Sequence, residues 1–226
     1  MAARFSTFSS FKGSIGAFSP TKSGRFLTAP RIVVRAARTE AKKLQLASRI
    51  PDFQLVEPLT AKQWSLDEFE GAPGLLVMFI CNHCPFVIHL KPGIVTLTNE
   101  YMRKGLSVVG ISSNSVRTHP QDGPAAMAEE AKKLGYEFPY LYDETQEAAR
   151  AFGAVCTPEF FLFKKDGRRP FELAYHGQFD DSRPNNGRPV TGRDLSMAID
   201  CVLSGRPVSP LQKPSMGCSI KWHPEP

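Results

Sequence analysis

The sequence predicts an α/β domain built on a mixed central sheet flanked by helices. Three observations carry that expectation. The runs LLVMFI (75–80) and LSVVGIS (106–112) are short, continuous and apolar between turn signals, as strands buried on both faces are. The segments that follow repeat apolar residues at spacings of three and four, the period of a helix packed on a sheet. Finally, EFFLF (159–163) and FELAYHG (171–177) flank KKDGRR, whose Asp166-Gly167 pair is a hairpin turn signal. Alternating units make a βαβ start, and the hairpin adds an antiparallel edge.

The elements follow in order. After a short extended run within 50–56, Ser65 is placed to cap LDEF, and Gly71 and Pro73 close the turn. The first buried strand leads into PFVIHLKPGIVTLTNEYMRKG (85–105), a helix with Pro85 in its first turn, a kink expected at Pro92 and a stop at Gly105. After the second strand, Asp122 and Pro124 start the helix PAAMAEEAKKL, which ends at Gly135. FPYLYD (138–143) is a short strand. Asp143 and Gln146 resemble a capping box for ETQEAARAF, and Thr191 and Asp194 cap the last helix, closed by Gly205 and Pro207. The tail from Leu211 has too many turn residues to predict a regular element.

Composition narrows the function. The chain has 226 residues and a formal charge of +6. Six bases, Arg4, Lys12, Lys22, Arg25, Arg31 and Arg35, stand before residue 37 with no acid among them and account for that excess. The basic character therefore belongs to the N-terminus, and no nucleic-acid partner is inferred. No run of 18 apolar residues predicts a membrane span. Five cysteines, at 81, 84, 156, 201 and 218, are too few for a secreted disulfide scaffold of this size. The N-terminus is rich in Ser, Thr, Phe and Arg and lacks a continuous apolar core, so it reads as an organelle transit peptide and not a secretory signal. Its Met-Ala start and VVRAA (33–37) resemble chloroplast transit peptides, which places the mature protein in the stroma; a mitochondrial presequence is the competing reading. The expected organisation is a transit peptide over 1–37, a surface arm or short helix over 38–47, the domain over 48–205 and a tail over 206–226 carrying Cys218.

The chemistry centres on FICNHCPFV (79–87). Two cysteines three apart, with a histidine between and a proline behind, suit a redox switch, half a zinc site or a structural staple. Together with PDFQLV, SLDEFEG, FPYLYDE and AFGAVCTPEFFLFKKDG, this centre resembles the thioredoxin-like superfamily over residues 48–205, on its peroxiredoxin-like (redoxin, AhpC/TSA-type) side. The tail QKPSMGCSIKW is similar to that of a peroxiredoxin-like subgroup with a C-N-H-C-P centre. The resemblance implies a thioredoxin-like fold and thiol–disulfide exchange. It also implies a cis peptide bond at Thr157-Pro158, facing the reactive sulfur and holding an extended substrate strand.

Two registers assign the cysteines. In one, Cys81 attacks and Cys84 resolves. In the other, which needs no gap, Phe79 matches the family's strand phenylalanine, Cys84 falls on the nucleophile position and Pro92 on the kinking proline. The second is preferred. A thiolate is favoured at a helix N-terminus, Pro85 suits the first turn, and His83 is placed to stabilise the Cys84 thiolate. Cys81 then acts as partner. The site residues are thus Cys84, Cys81, His83, Thr157 and Pro158, with Cys156 and Cys218 as auxiliary thiols; Cys201 reads as core.

Two other functions compete. A thiol peroxidase would use Cys84 as the attacking thiol, but the family's P-x-x-x-T-x-x-C pattern is broken, with Val77 and Cys81 in the proline and threonine places. A copper or zinc protein would draw on Cys81, Cys84, His83 and His89, with His176 as a remote ligand, yet no second C-x-x-C completes the set. No cofactor and no metal is assigned. The expected partners are protein dithiols or disulfides and a thioredoxin or glutathione reductant, with neither nucleic acid nor membrane.

Overall fold

The computed structural model describes residues 38–40 and 45–224. The expected transit segment lies outside the described residues.

The central sheet is mixed, as expected. Its centre is β4 (Gly74–Phe79), buried at every position. The parallel strand β5 (Ser107–Ser112) lies on one side and the antiparallel β8 (Glu159–Lys164) on the other. Beyond β5 lie β6 (Tyr140–Tyr142), parallel to it, then β2 (Gln54–Val56) and β3 (Gln63–Ser65); beyond β8 lies β9 (Glu172–Gly177). The β8–β9 pair is the hairpin the Asp-Gly turn signalled, with Gly167 at φ 61.

Strand alternation divides the core between the two faces. Leu76, Met78 and Ile80 meet helices α1 (Pro85–Arg103), α2 (Pro124–Leu134) and α4 (Arg193–Leu203) on one side. Leu75, Val77 and Phe79 meet Phe53, Phe69 and the short helix α3 (Glu147–Phe152) on the other. Helix α1 buries Phe86, Val87, Leu90, Ile94, Leu97 and Tyr101. Each side chain contributes about 1.5–3 kcal/mol, enough to fix the start of the helix against the end of β4. Pro92 lies inside α1, which runs unbroken from residue 85 to 103. Among the described residues no helix is long and apolar enough to cross a membrane.

Several local expectations are corrected. Part of the 38–47 arm is a strand, β1 (Arg38–Glu40), in place of a short helix. The tail is regular: β10 (Met216–Ser219) pairs antiparallel with β1 on one edge and with the two-residue β7 (Cys156–Thr157) on the other. Helix α2 is capped by Gly123, not Asp122. Helix α4 is capped by Gly192, because Asp180 accepts the N–H groups of Thr191 (2.6 Å) and Gly192 (2.7 Å) and fixes that turn from outside the helix. Asp143 supports α3 through the Ala148 and Ala149 N–H groups, but Gln146, at φ 63, turns its side chain to the tail.

Candidate active site

Strand β4 delivers its last residues into a tight crossing, Ile80–His83, which ends at Cys84, the N-cap of α1. Cys84 is extended (φ −65, ψ 124), and Pro85 occupies the first helical position, where a missing N–H costs nothing. The Cys84 carbonyl accepts the Ile88 N–H at 2.9 Å and starts the helix. Opposite stands the Thr157–Pro158 bond, which is cis as the resemblance implies. The third wall is β10, with Cys218 paired to Thr157.

Three sulfurs therefore share one buried space: Cys84 is 0 %, Cys81 1 % and Cys218 3 % exposed. As a thiol, Cys84 donates to the Thr157 carbonyl at 3.2 Å. As a thiolate it takes the opposite role. Hydrogen bonds from the Cys218 and Cys81 thiols, outweighing burial, and the Val87 and Cys218 amides hold Cys84 well below the ordinary thiol range. The two donors move the other way. Burial and the bond to Cys84 push Cys81 up; the bond to Cys84 and burial push Cys218 up. Cys81 also lies 3.3 Å from the Thr157 hydroxyl. One charge at the helix start, with two protonated neighbours, is an arrangement for thiol exchange.

His83 plays a different part from the one expected. Its ring is bonded to the Asp122 carboxylate through Nδ1 and stacked on His119 at 4.6 Å; the groups that lower Cys84 are the thiols and amides above. Asp122, fully buried, accepts the N–H groups of Asn82 (2.8 Å) and His83 (3.1 Å) and the Asn114 amide (2.8 Å). Burial would raise its pKa, but His83 and Asn114 hold the carboxyl below the usual range. Asp122 is thus a clamp on the inter-cysteine turn, a role its sequence position ahead of a proline-started helix disguised.

Sequence reasoning also missed Glu159. It is fully buried and accepts the N–H groups of Val155 (2.8 Å) and Cys156 (3.0 Å), while its other oxygen meets His176 Nε2 at 2.7 Å. A carboxylate opening an otherwise apolar strand was the available signal. Glu159 fixes β7 and so the cis-proline wall. Cys156 lies beside it, with burial and then Glu159 raising its pKa. Cys201 is half-buried and not part of the close-packed core.

The donors of the metal reading are dispersed. His89 bonds Ser182 at 2.7 Å and His176 faces Glu159. Cys81, His83 and Asp122 do bring S, N and O atoms within 4.8 Å of one another. Both Asp122 oxygens are already taken by the turn's donors, so a metal there would have to break the clamp; the donor set does not fit a resident ion.

The sheet order, the cis-proline wall and a cysteine at the first helix start define a thioredoxin-like redox protein. The AhpC/TSA family model matches residues 46–168, and the chain belongs to that family. No curated protein matches it in sequence. Among solved structures it is similar to an uncharacterized conserved protein from Geobacillus kaustophilus, with 46 % identity and a TM-score of 0.81 over 85 % of this chain and 100 % of the other. A hypothetical protein from Sinorhizobium meliloti 1021 is similar at 43 % identity and TM-score 0.79, over 83 % and 100 %. A thioredoxin-family thiol:disulfide interchange protein from Chlorobium tepidum TLS shares the fold at 19 % identity and TM-score 0.52, over 72 % and 99 %.

Proposed function

We propose that this chain is a thiol–disulfide oxidoreductase in which Cys84 attacks and Cys81 resolves. The observation that carries the reading is Cys84 at the N-cap of α1 with two cysteine thiols directed at its sulfur. The Cys84 thiolate attacks one sulfur of a client disulfide and expels the other as a thiolate, which takes up a proton. The mixed disulfide removes the charge on Cys84 and with it part of what keeps Cys81 protonated. Cys81 then loses its proton, attacks the Cys84 sulfur and releases the second client thiol. Two client thiols and a Cys81–Cys84 disulfide result, and one thioredoxin dithiol, or two glutathione thiols in succession, reduce that disulfide again and are themselves oxidised to a disulfide. Residue spacing supports this bond, because three positions across a strand-to-helix turn bring the sulfurs together without long chain movement.

Family membership favours a second reading, a thiol peroxidase, in which Cys84 cleaves the peroxide O–O bond and is left as a sulfenic acid that Cys81 condenses with, releasing water. Val77 and Cys81, in place of the expected proline and threonine, argue against it. We place the protein in the chloroplast stroma on the composition of residues 1–37.

Equilibration of residues 38–226 and of Cys84→Ser with a glutathione redox buffer, followed by disulfide mapping, tests the assignment. A reversible Cys81–Cys84 bond supports exchange. A sulfenic acid at Cys84 after peroxide, with no such bond, supports the peroxidase instead.

A further inference from the structure

Strand β10 pairs with β7 beside the cis Thr157–Pro158 bond, the edge where the resemblance implies that an extended substrate is held. Its register puts Cys218 opposite Thr157 and Ser219 opposite Cys156, and Ile220 continues the ladder by donating to the Val155 carbonyl at 3.0 Å. Lys221 extends the seat, its N–H donating to Asn114 Oδ1 at 2.8 Å and its carbonyl accepting the Ser115 N–H at 2.8 Å. The strand covers the centre, and no external disulfide reaches Cys84 while it is seated. A client must take its place.

The seat has one steric rule. A Cβ on Gly217 would fall 2.0 Å from the Thr157 oxygen, 2.5 Å from its carbonyl carbon and 3.0 Å from Pro158 N. All three are backbone atoms of the wall itself, so no side-chain rotation relieves the contact. The client's sulfur must meet Cys84, as the Cys218 thiol now does. The client cysteine therefore takes the Cys218 place, and the residue before it takes the Gly217 place.

We infer that β10 is a resident occupant of the client-binding edge, and that the clients which displace it are extended segments with glycine immediately before the reactive cysteine. The inference rests on Cys84 as the exchange nucleophile and adds a client class to that reading.

The test uses the full chain carrying Cys81→Ser and Cys218→Ser, so that an adduct on Cys84 is not resolved by either neighbour. Two peptides, identical except for Gly-Cys or Val-Cys and activated as thiopyridyl disulfides, are offered in turn, with dipyridyl disulfide as the small probe. Adduct at Cys84 is quantified by peptide mass. The Gly-Cys peptide is expected to react about tenfold faster or more, the scale of an unrelieved backbone clash. Adding Gly217→Val, which cannot seat the strand, is expected to speed the Gly-Cys peptide and the small probe together while preserving the preference between peptides. Equal peptide rates, reaction with the small probe alone, or no acceleration in the Gly217→Val protein overturns the inference and leaves Cys84 as nucleophile. No adduct at Cys84 with any probe, even in the Gly217→Val protein, overturns the oxidoreductase reading and the inference with it.

Discussion

His83 is bonded to Asp122 through both its backbone N–H and its ring, so one buried carboxylate fixes the turn between the two cysteines of the centre. Replacing Asp122 by Ala strands the Asn82 and His83 N–H groups and the Asn114 amide. Unfolding in urea is expected to show a loss of about 1–3 kcal/mol for a buried donor left unpaired. The pH dependence has a definite sign. The folded-state pKa of Asp122 is depressed, so its contribution is present above the ordinary carboxylate range and is lost as pH falls through the folded value. Wild type should lose stability on acidification below about pH 4. Asp122→Asn should be less stable at pH 7 and should show a shallower acid limb.

Reduced protein should carry one thiolate at neutral pH, seen as absorbance near 240 nm that Cys84→Ser abolishes. Because the Cys218 thiol is the leading cause of the lowered Cys84 value, Cys218→Ala should raise the midpoint of that absorbance. Cys218→Ser keeps a hydroxyl donor and should hold the midpoint near the wild-type position. Equal midpoints for the Ala and Ser variants would show that the tail thiol does not act through hydrogen bonding.

Cys156 adjoins the cis-proline wall yet should be inert. Burial and the neighbouring Glu159 carboxylate disfavour its thiolate, and a thiol that stays protonated exchanges slowly. In native protein treated with iodoacetamide, Cys201, the only half-exposed cysteine, should label first and Cys156 last. Cys156→Ala should keep the neutral-pH thiolate absorbance. Early labelling at Cys156 would instead make it a working thiol of the centre.

Much of this architecture was legible because burial imposes a period. Leu75 to Ile80 reads as a two-faced strand, and the structure sends alternate residues to opposite cores. Cys84 at the helix start followed from Pro85 behind it. The failures share a cause, which is that long-range pairing supplied what local sequence lacked. Residues 216–219 lie in a stretch rich in Pro and Ser, and they become a strand only because β7 and β1 offer unpaired edges on both sides. Asp122 precedes a helix and reads as its cap; nothing nearby in sequence shows that Asn82 and His83, 40 and 39 positions earlier, need a carboxylate. His83 was read for its neighbour Cys84, when its ring had a partner on another element.

Glu159 gives the final prediction, because it carries two structures at once. Its carboxylate holds the Val155 and Cys156 amides, the same short segment whose outer edge receives β10. Glu159→Ala strands both amides beside a buried His176, and the expected cost is about 1–3 kcal/mol for a buried donor left unpaired. The more informative consequence is at Cys84. If β7 loosens, the tail strand loses its seat, and Cys84 should become accessible to dipyridyl disulfide while the sheet remains folded by far-ultraviolet circular dichroism. Glu159→Gln keeps an acceptor for one amide and should lie between the two. Lost stability in Glu159→Ala with unchanged access to Cys84 would show that the carboxylate supports the fold without governing the seat of the tail.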